Sequence, residues 1–343
     1  MFDKPPAREA SMISASIGEP AMSKRKGLIV AAVLVVAALG VGLVVAFQRD
    51  LQAHRDRIAA GSRIVATRCG PVEVAETGSG PALLVVHGAG GGFDQGMGAG
   101  AELAARGLHV VAPSRFGYLR TPLPADASAE AQADQFACLL DALGIARAAI
   151  AGISAGANSA MQFAIRHPER TSALVLLVPA AYRPADVPAS APKPSPYAEK
   201  LLMTIVTSDF VFWLTARFAE GTAIRMVLAT PVEDFVAASA EEQARARAVL
   251  DRILPISARV QGLRNDARLA GNPPRYALEA IRAPTLVMSV RDDLYGTYAA
   301  ARYTAEHIGG ARFIGYERGG HVWLGHHREI VDETAAFVHN AAR

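Results

Sequence analysis

The chain has 343 residues, 51% of them apolar and 20% charged, with a formal net charge of +3. That length admits one large domain or two ordinary ones, the apolar share excludes disorder, and a charge so small and scattered excludes a nucleic-acid footprint. Two cysteines, Cys69 and Cys138, are too few for a disulfide framework or a thiolate zinc site. Because Cys138 stands among Phe136, Leu139 and Leu140, a free buried thiol is favoured there over a bridge.

Residues 1–23 are polar and aperiodic and contain Pro and Ser, which reads as a disordered tail, with Met22 an alternative start. With the basic triplet Lys24-Arg25-Lys26 they make a segment 1–26. From Leu28 to Phe47 there are 20 consecutive uncharged, nearly all aliphatic residues. As a helix they span about 30 Å, the thickness of a bilayer hydrocarbon core, so 27–47 is expected to be a transmembrane helix and the membrane a partner of the chain. The triplet before it is undiluted, whereas Arg49, Arg55 and Arg57 behind it alternate with Asp50 and Asp56. That bias makes 1–26 a cytoplasmic tail and puts the rest on the periplasmic or extracellular side. The rival is a cleaved signal and a secreted protein, for which Val44-Val45-Ala46 offers small residues; the apolar run exceeds the roughly 7 to 15 residues of a signal, which favours the anchor.

A charged stalk is expected over 48–62, and beyond it apolar runs of strand length alternate with helical patterns. The runs are Ile64 to Thr67, Val72 to Ala75, Ala82 to Val86, His109 to Ala112, Ala148 to Ala151, Leu174 to Val178, Thr285 to Val290 and Arg312 to Tyr316. Wholly apolar runs such as Leu83 to Val86 are what central parallel strands covered on both faces look like. Helical patterns at Glu102 to Arg106, Ala129 to Leu143, Ala157 to His167 and Tyr298 to His307 fill the gaps. The alternation predicts an α/β, doubly wound, mostly parallel sheet over 63–343. It breaks at about 182–279, where a Pro-rich loop, Ser190 to Pro196, precedes helices at Leu201 to Phe218 and Ser239 to Ile253, the latter opened by the capping pair Ser239 and Glu242. That stretch is expected to be a helical cap inserted after the sixth strand.

Gly152-Ile153-Ser154-Ala155-Gly156 follows a strand and opens a helix. On so sharp a turn a serine is lifted clear of the sheet, and the N–H of Ala155 faces a reacting carbonyl. A hydroxyl needs a base and the base an orienting acid; in this arrangement acid then histidine follow the serine, each just beyond a late strand. Asp292 and Asp293 end one such strand, and Gly319-Gly320-His321 follows another. Asp293 is the preferred acid, with Asp292 the alternative, otherwise left to a surface ion pair. His326 and His327 are assigned to the C-terminal helix, and neither a metal nor a cofactor is called for. His87-Gly88-Ala89-Gly90-Gly91-Gly92 follows another strand, so N–H groups at Ala89, or alternatively Gly90, can complete an oxyanion hole. A dinucleotide site at Gly96 to Ala101, with Arg115 reading a 2′-phosphate, is disfavoured because no strand runs into Gly96.

From about Val72 onward the chain resembles the α/β-hydrolase superfamily, in its single-domain, cap-containing type with a serine nucleophile. The resemblance rests on His87-Gly88, the Gly152 to Gly156 elbow, the run Ala133 to Phe136 through Leu143-Gly144-Ile145, His167-Pro168-Glu169-Arg170, Asp293 and Gly320-His321. Where the family usually has Asp-x-x-Gly-x-Gly-x-Ser, this chain has Ser114-Arg115-Phe116-Gly117-Tyr118-Leu119-Arg120-Thr121. The resemblance implies a hydrolase of a small-molecule carboxylic ester or thioester, with Ser154, His321 and Asp293 as triad. Other serine-elbow activities, C–C hydrolase, aminopeptidase or cofactor-free haloperoxidase, stay open, as does a non-catalytic binding or scaffold role. Apolar cap residues such as Leu202, Met203, Phe212 and Trp213 either line an acyl pocket or pack the core, and Arg264, Asn265 and Asp266 are mouth contacts or ordinary helix caps.

Overall fold

Helix α1 (Lys24–Ala60) contains the long apolar run, which is long and apolar enough to cross a membrane and is exposed over most of that stretch. The structure is a computed structural model and describes residues 1, 24–187, 195–270 and 273–343. The expected tail over residues 2–23, with Met22, lies outside the described residues. So does the Pro-rich loop, apart from Ser195 and Pro196, which open a helix. Two compact units divide the chain, 1–48 and 49–343. In the second, the stretch read as a stalk continues α1 to Ala60. Asp50 accepts from Trp213 Nε1 at 2.8 Å, Arg57 pairs with Asp251 at 3.0 Å, and Ile58 packs with Ala75 and Phe93.

All eight apolar runs are strands, with ends shifted by up to three residues. In chain order come β1 (Arg63–Thr67), β2 (Gly70–Thr77), β3 (Ala82–Val86), α2 (Phe93–Gly96), α3 (Gly100–Ala105), β4 (His109–Pro113), α4 (Ala129–Ala142), β5 (Ala148–Ile153), α5 (Ala157–Arg166) and β6 (Thr171–Leu177). The inserted helices follow: α6 (Pro196–Ile205), α7 (Asp209–Phe218), α8 (Glu220–Met226), α9 (Val232–Ala237), α10 (Ala240–Asp251) and α11 (Val260–Ala270). The fold closes with β7 (Thr285–Val290), α12 (Thr297–His307), β8 (Arg312–Tyr316) and α13 (His327–Ala341). The sheet runs β1-β2-β4-β3-β5-β6-β7-β8, parallel from β4 onward and antiparallel across β1, β2 and β4. Alternation along β3 shows why its whole run is apolar: Leu84 and Val86 pack into a layer with Phe136 and Phe163 of α4 and α5, while Leu83 and Val85 pack with Leu103 of α3 and Val331 of α13.

The predicted helix over Leu201 to Phe218 is two helices, α6 and α7, bent by 106°. Ser208 is the reason, since its hydroxyl accepts from Val211 N and starts a new helix where the apolar pattern runs on. In α10, Ser239 accepts from Glu242 N as the capping pair requires, but the Glu242 carboxylate turns to Arg245.

Cys69 and Cys138 are bridged, with S–S 2.00 Å and Cα–Cα 6.0 Å, which corrects the expectation of a free thiol. Cys138 is buried as its neighbours imply. However, α4 packs against β1, and the β1–β2 turn brings Cys69 onto it, a proximity invisible in residues adjacent to 138. A bridge across 69 residues stabilises by about 4 kcal/mol in the chain-entropy model. Reduction is therefore expected to lower the melting temperature by on the order of 10 °C. An unchanged melt would show that the bridge contributes nothing.

Candidate active site

The parallel strands deliver their following loops to one edge of the sheet, where ligands of open α/β sheets bind. Ser154 follows β5 with φ 51°, a left-handed conformation that is costly for a serine and is held by what surrounds it. The glycines around it are forced: a Cβ on Gly156 would lie 2.5 Å from the His87 carbonyl oxygen, and one on Gly152 would lie 2.7 Å from Ala160 Cβ. The Ser154 carbonyl accepts from Ala180 N at 3.1 Å, which fastens the turn to the strand end beside it.

Asp293, after β7, is 1% exposed. It accepts from Tyr295 N at 2.8 Å, from the Thr297 hydroxyl, and from His321 Nδ1 at 2.8 Å. Since the carboxylate only accepts there, His321 carries a proton on Nδ1 and turns Nε2 outward as the other ring nitrogen. The two loops share an anchor, because the Ala229 carbonyl accepts from both His321 N and Leu294 N. His321 and Ser154 line one cavity, together with Gly88, Ala89 and Gly90. Asp292 is not in a surface ion pair, as the sequence reading had it: its carboxylate accepts from the backbone of Gly320 at 2.8 Å and Gly319 at 3.3 Å and so braces the histidine loop. Burial first, and then the neighbouring Asp234 carboxyl, push the Asp292 pKa up to about 6. His326 stands at the N-terminus of α13 and His327 within it, the latter bonded to Glu102 at 2.8 Å.

The His87 to Gly92 loop is rigidly held. His87 is fully buried, and desolvation and the Arg115 charge hold its pKa well below the usual histidine value, so the ring is neutral. Its Nε2 accepts from Arg115 N at 2.9 Å, which leaves Nδ1 to donate to the Gly88 carbonyl at 2.7 Å. Gly88 N donates to Gln95 Oε1 and Gly90 N to the Tyr118 hydroxyl, so the N–H groups on either side of Ala89 are taken.

Two buried ion pairs, neither anticipated from sequence, clamp this loop to the cap in opposite senses. Arg115 of the body forks onto Asp266 of α11 at 2.6 and 2.7 Å and also donates to the carbonyls of His87 and Gly88. Arg259 of the cap pairs with Asp94 of the body at 2.8 Å and donates to the Gly91 carbonyl. Arg115 is thus no phosphate reader, and Asp266, held by that pair, lines a cavity beside Ser154 and is no helix cap. Asn265 donates to the Ala127 carbonyl, while Arg264 lines an open cavity beside Ser154. In the segment that departs from Asp-x-x-Gly-x-Gly-x-Ser, Ser114 stands where the aspartate would be and donates to buried Glu73, which also receives Arg120. The apolar cap residues divide: Phe212 and Trp213 are buried, while Leu202 and Met203 line the open cavity.

Residues 81–325 match the family model described as alpha/beta hydrolase fold. A 2-hydroxymuconate semialdehyde hydrolase of Pseudomonas putida is 35% identical over 133 residues, 38% of this chain and 44% of that protein. Curated relatives are matched over less than half of their own length, 29% in the case of one that is 41% identical. An alpha/beta hydrolase fold protein from Nakamurella multipartita has 28% identity and a TM-score of 0.68, covering 82% of this chain and all of the other. A bacterial membrane phospholipase A has a TM-score of 0.59 over 93% of this chain and 99% of its own; at 22% identity that likeness is one of fold. A matched family model over most of the chain and an eight-stranded, mostly parallel sheet agree, and the chain belongs to the alpha/beta hydrolase fold family.

Proposed function

We propose that the protein is a membrane-anchored serine hydrolase of carboxylic esters or thioesters. The observation that carries this reading is that His321, bonded to buried Asp293, shares a cavity wall with a serine held at positive φ. Ser154 Oγ attacks the carbonyl carbon while His321 Nε2 takes its proton; the collapsing intermediate expels the alcohol or thiol, which leaves with that proton, and an acyl-enzyme remains. Water then repeats the sequence, returning Ser154 and releasing the acid. Asp293 fixes the imidazole tautomer and steadies the charge it acquires. The N–H groups of Ala155 and Ala89 hold the oxyanion. Gly90 is the weaker candidate, since its N–H is given to Tyr118. A fluorophosphonate should label the full-length protein at Ser154 alone; an unlabelled, folded chain would favour a binding or scaffold protein. The Pseudomonas putida relative supports a second reading, a hydrolase of a 2-hydroxymuconate semialdehyde type of substrate, which turnover of that compound in preference to simple esters would select.

The anchor is α1, with the catalytic unit outside the cytoplasm. Arg25 and Lys26 at its start and the Cys69–Cys138 bridge both support that side, because disulfides persist in oxidising compartments. Alkylation of intact cells without reductant should leave both cysteines unmodified on the full-length, uncleaved chain. Two free thiols would place the domain in the cytoplasm, and a shortened chain would point to a cleaved signal.

A further inference from the structure

Two cavities meet at Ser154. The larger, about 730 Å³, is the more open and runs along Leu202, Met203, Arg264 and Pro273. The smaller, about 200 Å³, is the more enclosed and leads from Ser154 and His321 past Ala151 and Val85 to Leu103 on α3 and Val331 on α13. These last four residues belong to the core layer between the sheet and helices α3 and α13, so this cavity enters the body of the domain. In its wall Arg245 is paired with Glu242 and the Val322 carbonyl, His327 is bonded to Glu102 through Nε2, and Arg252 stands beside Gly98.

We propose that the enclosed cavity is the acyl pocket and that the substrates are esters of uncharged, medium-chain acyl groups. This rests on the serine-hydrolase reading and adds the substrate class to it. The direction follows from the order of events. In the acyl-enzyme the acyl group stays bonded to Ser154 while the leaving group departs and water takes its place, so the open cavity must serve what leaves and the enclosed one what stays. The chemistry follows from the walls. Leu83, Val85, Leu103 and Val331 present only carbon, and a polar group among them would lose its hydrogen bonds to water without replacement. The length follows from the volume: at the packing density of protein interiors, about 0.75, a space of about 200 Å³ holds a chain on the order of eight carbons.

The test is a series of p-nitrophenyl esters from acetate to dodecanoate, hydrolysed by the full-length chain in detergent. The expected kcat/KM rises by up to about fourfold for each CH2 that is buried, then levels or falls beyond roughly eight carbons, where the volume is full. Val331→Trp should lower the octanoate-to-acetate ratio at least tenfold. Leu103→Ala, which enlarges the same space, should move the optimum to longer chains, so the proposal is tested even if the tryptophan variant does not fold. A parent enzyme indifferent to chain length, or a ratio that responds to Leu202→Trp in the open cavity and not to Val331→Trp, overturns it. Fluorophosphonate labelling separates the two levels: labelling without chain-length selection sinks this proposal alone, whereas an unlabelled Ser154 with no ester turnover sinks the hydrolase reading with it.

Discussion

Ser154→Ala is expected to lower ester hydrolysis by about a millionfold, the cost of removing the nucleophile from a unit whose members act together. Alanine fits the site: the turn is imposed by Gly152, Gly156 and the bond from Ala180 N to the residue 154 carbonyl, none of which uses the hydroxyl. The melting temperature should therefore stay close to that of the parent, and a probe that binds without reacting should still bind. Residual activity above a few per cent, measured on protein free of wild-type carry-over, would assign the chemistry to another group.

For the acid, Asp293→Asn should cut kcat by on the order of ten-thousandfold, because an amide in its place can present an N–H to His321 Nδ1 and favour the wrong tautomer. Asp292→Asn should cost no more than about tenfold, since it touches the backbone of Gly319 and Gly320 and not the imidazole. Equal losses, or the reverse order, would move the role to Asp292. The Asp292 variant has its own signature in stability. With a pKa raised to about 6, the folded protein binds that proton more tightly than the unfolded chain. The contribution is full below the unfolded value of about 3.9 and is lost as pH rises through about 6. The parent should therefore lose stability relative to Asp292→Asn between pH 4 and 7, and parallel melting curves over that range would contradict the assignment.

The strands were legible because burial on both faces writes an unbroken apolar run, as in Leu83 to Val86, that needs no knowledge of the partner. The positions of Ser154 and Asp293 were legible for a related reason, since each follows such a run, whereas His321 follows β8, an only partly buried run, and was marked by the glycine pair before it. What stayed hidden depends on contacts between distant residues. Arg115 looks like any exposed arginine until Asp266, 151 residues on, is placed against it. Cys138 reads as a free thiol until Cys69 is brought across the turn. The α6–α7 break was marked only by Ser208 within a continuing apolar pattern, where periodicity outweighs a single cap.

The paired arginines bear on how this protein can be rebuilt. Asp266 and Arg259 come from the inserted segment, whereas their partners, Arg115 and Asp94, come from the body. Exchanging the cap for that of another family member would strand one cation and one anion in the interior, and an uncompensated buried charge costs about 3–5 kcal/mol. Such chimaeras should fold only when all four positions travel together, as two reciprocal charge pairs or as two neutral ones. The same linkage makes the roof of the site a fixed part of the loop that carries Ala89, so new specificity is better sought in the walls of the cavities than in a freer cap.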